Sequence, residues 1–353
     1  MNNVTDRLVD SFGRVHNYVR ISVTDLCNLG CQYCRPGSSL GCKVKSELLS
    51  FDQLAALVEV LAHMGVTKVR LTGGEPLLRP RLEALIGRLS RIKGISQIGL
   101  TTNGMLLGPR ASLLRQAGLT DVNISIDSLV PERYAGITGG GDFNRVIKSI
   151  ESSCKAGFDK VKLNVVLMHG VNDDEIEAFL KLTVNYPLFI RFIEYMPIGD
   201  RIQDWRSEYM PAESILMRCE EKGWQIEPAG GSGSTGSTGG LKDELQEEHE
   251  ISGPARYYRI AGAAGEFGLI SPVSRHFCGS CNRLRITANG CVKPCLYWNE
   301  EWDLKPYIGD EEGLRRILLQ SLASKPLRHE MTIVPKDIAS QPYTLRQMSQ
   351  IGG

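Results

Sequence analysis

Six short segments of alternating apolar and polar residues recur at 18–24, 68–72, 97–101, 122–127, 161–168 and 189–195. Helix-like stretches separate them. The clearest covers residues 50–65. Ser50 and Gln53 there form a capping box, apolar residues fall at 51, 54, 57, 58 and 61, and Gly65 ends the pattern. Six strand–helix alternations demand a parallel α/β sheet, either doubly wound or rolled toward a barrel.

The alternation within each segment narrows the choice. A parallel strand covered on both faces is nearly all apolar. Here Val19, Ile21 and Val23 share one face, and Arg20, Ser22 and Thr24 share the other. Val69 and Leu71, Val122 and Ile124, Val161 and Leu163, and Ile190 and Phe192 repeat the pattern. The apolar face meets the helices, so the polar face lines a cavity. Arg20, Lys68, Arg70, Lys162 and Arg191 then all point inward. Unpaired burial of five cations is very costly. Either a carboxylate such as Asp127 pairs them or an anionic ligand does. A phosphate-type ligand is the favoured expectation, because arginine suits phosphate oxygens.

Length and charge set outer limits. The 353 residues suffice for two domains or one large barrel with an appendage. The net charge of +1 argues against a general nucleic-acid or membrane binder. The opening MNNVTDRLVD lacks a secretory pattern, and no run of about 18 apolar residues occurs. A cytoplasmic chain is therefore expected, its ten cysteines serving as thiols or metal ligands and not as disulfides. Three regions are expected: a barrel over 1–227, a Gly/Ser-rich linker or insertion over 228–253, and a smaller cysteine-bearing region over 254–353.

Six of the cysteines form two trios. Cys27, Cys31 and Cys34 follow the first strand as CNLGCQYC. Three thiolates suit a four-iron, four-sulfur cubane with one iron left open, or zinc with a distant fourth ligand. Cys278, Cys281 and Cys295 lie in FCGSCNRLRITANGCVKPC. Asn289-Gly290 marks a hairpin turn that carries Cys295 back toward Cys281. Zinc is again an alternative, with Cys291 or His276 as a fourth ligand. Arg283 and Arg285 share a strand face beside this trio. Cys42, Cys154, Cys219 and Cys291 are read as spare or buried thiols.

CNLGCQYC together with LTGGEPLLR at 71–79, TTNG at 101–104 and ISIDS at 124–128 resembles the radical S-adenosylmethionine (SAM) superfamily. That resemblance implies a partial (β/α)6 barrel with a smaller C-terminal auxiliary-cluster region. The open iron of the first cluster would chelate SAM, Gly73 and Gly74 would let backbone approach it, and Glu75 would accept from its ammonium group. Adding FIRFIEYMPIG, FCGSCNRLRIT and the terminal QIGG, the chain is similar to the GTP 3′,8-cyclase family of molybdenum cofactor biosynthesis. The family implies two [4Fe-4S] clusters, SAM, GTP as substrate and an electron donor. It also implies a downstream cyclic pyranopterin monophosphate synthase and a homodimer. Its SAM contacts fall on Tyr33, Gly74, Ser125 and Met196. Its GTP contacts fall on Arg20, Arg70, Thr101, Lys162 and the strip Arg283, Leu284 and Arg285, with Lys68 and Arg191 joining the triphosphate site. Its catalytic elements are Arg283, Arg285 and the tail glycines Gly352 and Gly353. The sequence departs from the family's pattern at Leu26, Gly30, Arg35 and Cys42. The competing readings are a radical SAM peptide or sulfatase maturase with an auxiliary cluster, and a zinc-stabilised binding protein without catalysis.

Overall fold

A computed structural model of the chain describes residues 7–34, 48–196, 198, 205–230, 253–331, 344 and 346–352. Cys42, Arg35, Gly353 and most of the expected linker lie outside the described residues. The six alternating segments form strands β1 (Tyr18–Ser22), β2 (Lys68–Thr72), β3 (Gln97–Thr102), β4 (Asp121–Ser125), β5 (Lys160–Leu167) and β6 (Phe189–Glu194). They stand side by side in chain order, each parallel to the next.

The later chain extends this same sheet at both edges. Strands β7 (Ile226–Ala229), β8 (Arg256–Ile260) and β9 (Glu266–Ile270) follow β6 in the chain, and β9 pairs parallel to it. Strand β10 (Arg283–Ile286) pairs parallel to β1 at the other side. Strands β11 (Cys291–Lys293) and β12 (Trp302–Asp303) continue outward antiparallel. Among the described residues the result is one open sheet of twelve strands, β12-β11-β10-β1-β2-β3-β4-β5-β6-β9-β8-β7.

The apolar face is sealed as the period-two pattern requires. Val19, Ile21, Val69, Leu71, Leu100, Val122, Ile124, Leu163, Ile190 and Phe192 are all fully buried in the main core. Helices cover them. The helix Phe51–His63 starts at the expected capping box, where Ser50 accepts from Gln53 N and Gln53 accepts from Ser50 N. Its Leu54, Leu57, Val58 and Leu61 pack inward. Among the described residues, no helix is long and apolar enough to cross a membrane.

The other face carries the inward residues in register. Arg285, Arg20, Arg70, Gly99 and Asp121 lie opposite one another across five adjacent strands. Gly99 is needed in that row. A Cβ there would stand 2.6 Å from the Arg70 guanidinium, which crosses over Gly99 toward Asp121.

Candidate active site

All six cysteines of the two trios line one cavity of about 310 Å³. The first trio sits in the loop that leaves β1. Gly30 N donates to Thr138 O and Gln32 N to Ile137 O, which pins that loop to the chain after β4. Burial pushes the Cys31 thiol well up, and Cys34, Asp127 and Cys27 push it further. The loop after β2 stacks on this one. Gly74 N donates to Thr24 O at 2.8 Å and Glu75 N to Leu26 O at 2.7 Å. A Cβ on Gly73 would be 2.3 Å from Thr24 O, and one on Gly74 2.2 Å from Leu26 O. Gly73 also has φ of 148°, a conformation that disfavours side chains. The glycines therefore let two backbone loops meet beside the thiols.

Tyr33, Gly74, Ser125 and Met196, the expected SAM contacts, all line the cavity. Tyr33 donates to Asp127 Oδ2 at 2.8 Å, and Val166 N donates to Asp127 Oδ1. Glu75 departs from expectation. It is fully buried behind the loop, accepting from Leu77 N, Thr102 Oγ1 and Asn103 N. Burial pushes its carboxyl up to about 7. It braces the loops after β2 and β3 and shows no surface to an ammonium group.

The second trio is built on the β10–β11 hairpin, with Gly290 at φ 89° in its turn. Arg285 faces Lys293 across the hairpin, so two residues on Cys295 draws level with Arg283. Burial raises the Cys278 thiol, and Cys281 and Cys295 add to the rise. Burial also acts to raise Cys281, but Arg283 and Lys325 outweigh it and bring that thiol down to about 6. Lys325 Nζ stands 3.5 Å from Cys281 Sγ and 2.8 Å from Arg283 O. Arg14 donates to Cys278 O at 2.7 Å. Sequence reasoning passed over Arg14 and Lys325, which come from outside the motif.

The sulfur spacing bears on the metal. Tetrahedral zinc draws its thiolates to about 3.8 Å of one another, while a four-iron cubane spreads them farther apart. Among the described residues, neither cysteine trio has its three sulfurs all within 4.8 Å. Two soft-donor trios, each short of a fourth thiolate, thus fit four-iron clusters better than zinc.

Between the trios the wall is cationic. Among the described residues, ten arginines and lysines line the cavity against two carboxylates, Asp127 and Glu194. Arg20, Lys68, Arg70, Lys162, Arg191, Arg283 and Arg285 are all among them. Leu284 is not. It points to the opposite face and is buried in the main core, as period two along β10 dictates.

The buried counter-ion is Asp121 and not Asp127. Asp121 accepts from Arg70 Nη2 at 2.5 Å and from Lys162 Nζ at 3.0 Å. Arg70 also donates to Tyr18 Oη and Leu100 O. Burial acts against the Tyr18 phenolate, yet Arg70, Arg20 and Lys68 draw that hydroxyl down to about 7. Burial lowers the Lys162 ammonium to about 7 despite Asp121. Arg191 is held by Asn164 Oδ1 at 3.0 and 2.6 Å. The Thr101 hydroxyl and Asn123 Oδ1 line the cavity as well, buried and without a hydrogen-bond partner among the described residues. Asn123 was not singled out by sequence.

The C-terminal segment reaches the same wall. Arg20 Nε donates to Gly352 O at 3.1 Å, and Arg285 Nη1 donates to Gly352 O at 2.6 Å and Ile351 O at 3.2 Å. Gly352 takes φ of 67° to make this approach. Cys154 is exposed, Cys219 is buried in the core, and Cys291 is half-buried off the cavity.

Parallel strands in chain order, a thiol trio after the first and a glycine pair after the second define a radical SAM protein. Residues 21–183 match the Radical SAM superfamily, and residues 188–331 match Molybdenum Cofactor Synthesis C. Streptococcus suis SuiB, solved bound to S-adenosylmethionine, shares the fold. Its TM-score is 0.57 at 14% identity, over 89% of this chain and 67% of that one.

Among curated proteins, GTP 3′,8-cyclase of Listeria monocytogenes is 44% identical over 98% of this chain and 99% of its own. GTP 3′,8-cyclase of Lactiplantibacillus plantarum is 43% identical over 99% and 100%. The chain belongs to the GTP 3′,8-cyclase family.

Proposed function

We propose that this protein converts GTP to 3′,8-cyclo-7,8-dihydro-GTP, the first step of molybdenum cofactor biosynthesis. The observation that carries the reading is the shared chamber: both thiol trios and the cationic wall line one cavity. Cys27, Cys31 and Cys34 hold one [4Fe-4S] cluster, and Cys278, Cys281 and Cys295 hold the second. When bound, the first cluster and SAM supply one-electron, hydrogen-abstracting chemistry. The chain supplies position and charge.

Gly73 and Gly74 open backbone to SAM, and Tyr33, Ser125 and Met196 line its place. Arg20, Lys68, Arg70, Lys162 and Arg191 receive the triphosphate. Arg70 and Lys162 are fixed for this by Asp121. Thr101 and Asn123 offer a hydroxyl and an amide oxygen left unbonded among the described residues, which suits the polar edges of ribose or guanine. Arg283 and Arg285 stand beside the second trio. The tail carbonyl at Gly352 holds Arg20 and Arg285 in place, and this reading counts Gly353 as part of the same catalytic tail. In the substrate a ribose C3′–H bond breaks and a C3′–C8 bond forms, completed by one electron and one proton. Substrate filling a chamber walled by protein keeps water and stray hydrogen donors away from that event.

The same reading carries an external electron donor, a downstream cyclic pyranopterin monophosphate synthase that consumes the product, a homodimer and a cytoplasmic location. It assigns residues 1–227 to the SAM-binding barrel and 254–353 to the second cluster and GTP. The test is anaerobic incubation of reconstituted protein with SAM, reductant and GTP, followed by product identification. Cyclised GTP is the expected product. Abundant 5′-deoxyadenosine with GTP recovered intact would point to another substrate and sink the assignment.

A further inference from the structure

His276, Cys278 and His329 form a second grouping at the rim of the chamber. Their ligand atoms all lie within 4.8 Å of one another, and no other such His, Cys or carboxylate trio occurs among the described residues. His276 Nδ1 is 3.3 Å from His329 Nε2, with the rings at 64° and centroids 4.4 Å apart. A tetrahedral zinc ion with two imidazoles sets its nitrogens about 3.3 Å apart and a thiolate at a similar distance. The pair therefore already has the edge length of a mononuclear site. Two distant stretches of chain meet to make it. His276 precedes the turn of Cys278, and His329 follows Lys325, whose ammonium sits on Cys281. His329 and Cys278 both line the cavity, while His276 is exposed and gives the site an entry from solvent.

We infer that His276, Cys278 and His329 form a site for one mononuclear divalent ion of zinc or ferrous type, which is mutually exclusive with the second four-iron cluster. Exclusion follows because Cys278 belongs to both ligand sets, and one thiolate directed at the histidines is withdrawn from Cys281 and Cys295. The donor set of two imidazoles and one thiolate suits borderline divalent metals and leaves a fourth position for water. Metal entry releases the Cys278 thiol proton. It also moves the His329 ring proton to Nδ1, so the Met331 amide now 3.3 Å from that nitrogen turns aside. A chain that has lost or not yet gained its second cluster thus holds a competing ion, and cluster assembly has to displace it. Exclusivity rests on the reading of Cys278 as a cluster ligand; the ion site itself rests only on the three side chains.

The test uses the full chain carrying C281S and C295S, with its first cluster loaded so that Cys27, Cys31 and Cys34 are occupied. Titration with Co²⁺ reads the site directly, by the near-ultraviolet thiolate band and the strong visible bands of four-coordinate cobalt. One equivalent should bind, and Zn²⁺ should displace it. Adding H276Q and H329Q should weaken Co²⁺ binding at least tenfold and remove the four-coordinate spectrum. The iron of the first cluster, measured in every variant, reports that the fold is intact. Absence of a thiolate-bound cobalt spectrum, or one indifferent to both histidines, overturns the site. In the chain without these substitutions, loading both clusters should block Co²⁺ uptake, and one equivalent bound beside two intact clusters overturns the exclusivity. None of these readings depends on GTP turnover, so failure of the cyclase assignment would leave them unchanged.

Discussion

Asp121 is the residue on which the cationic wall turns. One carboxylate, 5% exposed, holds both Arg70 and Lys162. Removing one partner of such a buried set leaves uncompensated charge and costs about 3–5 kcal/mol. Asp121→Asn should destabilise the fold and also free Arg70 and Lys162 from fixed positions. The expected kinetic result is a GTP KM raised at least tenfold, with 5′-deoxyadenosine formation in the absence of GTP nearly unchanged. An equal loss of both would assign Asp121 to stability alone. Little in the sequence hints at this aspartate, since it opens its strand after a turn like many others; the alternating pattern offered Asp127 as a candidate counter-ion. The deciding contact needs Gly99, whose missing side chain lets Arg70 reach across a neighbouring strand.

His16 gives a second prediction at this scale. It is 1% exposed, and among the described residues neither ring nitrogen has a hydrogen-bond partner of good geometry. Asp10 lies 3.7 Å away, too far for a hydrogen bond, and already accepts from Arg14. Burial, with Lys325 adding to it, holds the imidazole down to about 3 against an ordinary 6.5. Between those values the unfolded chain takes up a proton that the folded chain refuses. Stability is therefore full above pH 6.5 and falls as pH drops, by about 2 kcal/mol at pH 5. Anaerobic urea titrations at pH 7 and pH 5 should show that loss. His16→Gln, though less stable at pH 7, should show a smaller one. An identical loss in both proteins would assign the acid sensitivity to other groups.

At the scale of elements, the strands, the capped helix and the hairpin turn were legible because each is local. Period two, a Ser-x-x-Gln box and Asn-Gly act within a few residues. The pairing of β10 with β1 and of β9 with β6 was not legible, since nothing in either segment names its distant partner. The C-terminal tail shows the same limit. Its terminal glycines stood out by family likeness, but the clamp that holds them did not. Arg346 donates from Nε to Glu301 Oε1 at 2.5 Å and from Nη2 to Oε2 at 2.6 Å. Glu301 also meets the buried Lys293 of β11. This two-pronged pair ties residues 346–352 to the hairpin of the second trio, and charge-assisted bonds of this kind contribute about 1.5–3 kcal/mol. Glu301→Gln should loosen the tail. Carboxypeptidase should trim it several-fold faster, and the GTP KM should rise while SAM affinity stays level. Unchanged trimming would mean that Arg20 and Arg285 alone hold the tail.

Across the whole molecule, charge and chemistry are both segregated. A net charge of +1 hides a chamber lined, among the described residues, by ten cations and two carboxylates. Averaged composition is blind to such a local site; the alternating strands were what exposed it. The two thiol trios come from opposite ends of the chain, yet β10 beside β1 brings both to the same cavity. That arrangement divides the reaction spatially and predicts an asymmetry. Cys27→Ser should abolish SAM cleavage, because the proposed function gives its trio the cluster that SAM meets. Cys281→Ser should lower iron from about eight to about four per chain, as one of two four-iron clusters is lost. SAM should still be cleaved in that variant, without cyclised GTP. Iron content, 5′-deoxyadenosine and cyclised GTP measured on one preparation separate the outcomes. If Cys281→Ser silenced SAM cleavage while keeping four irons, the trios would be one coupled centre, and the division of labour across the chamber would have to be abandoned.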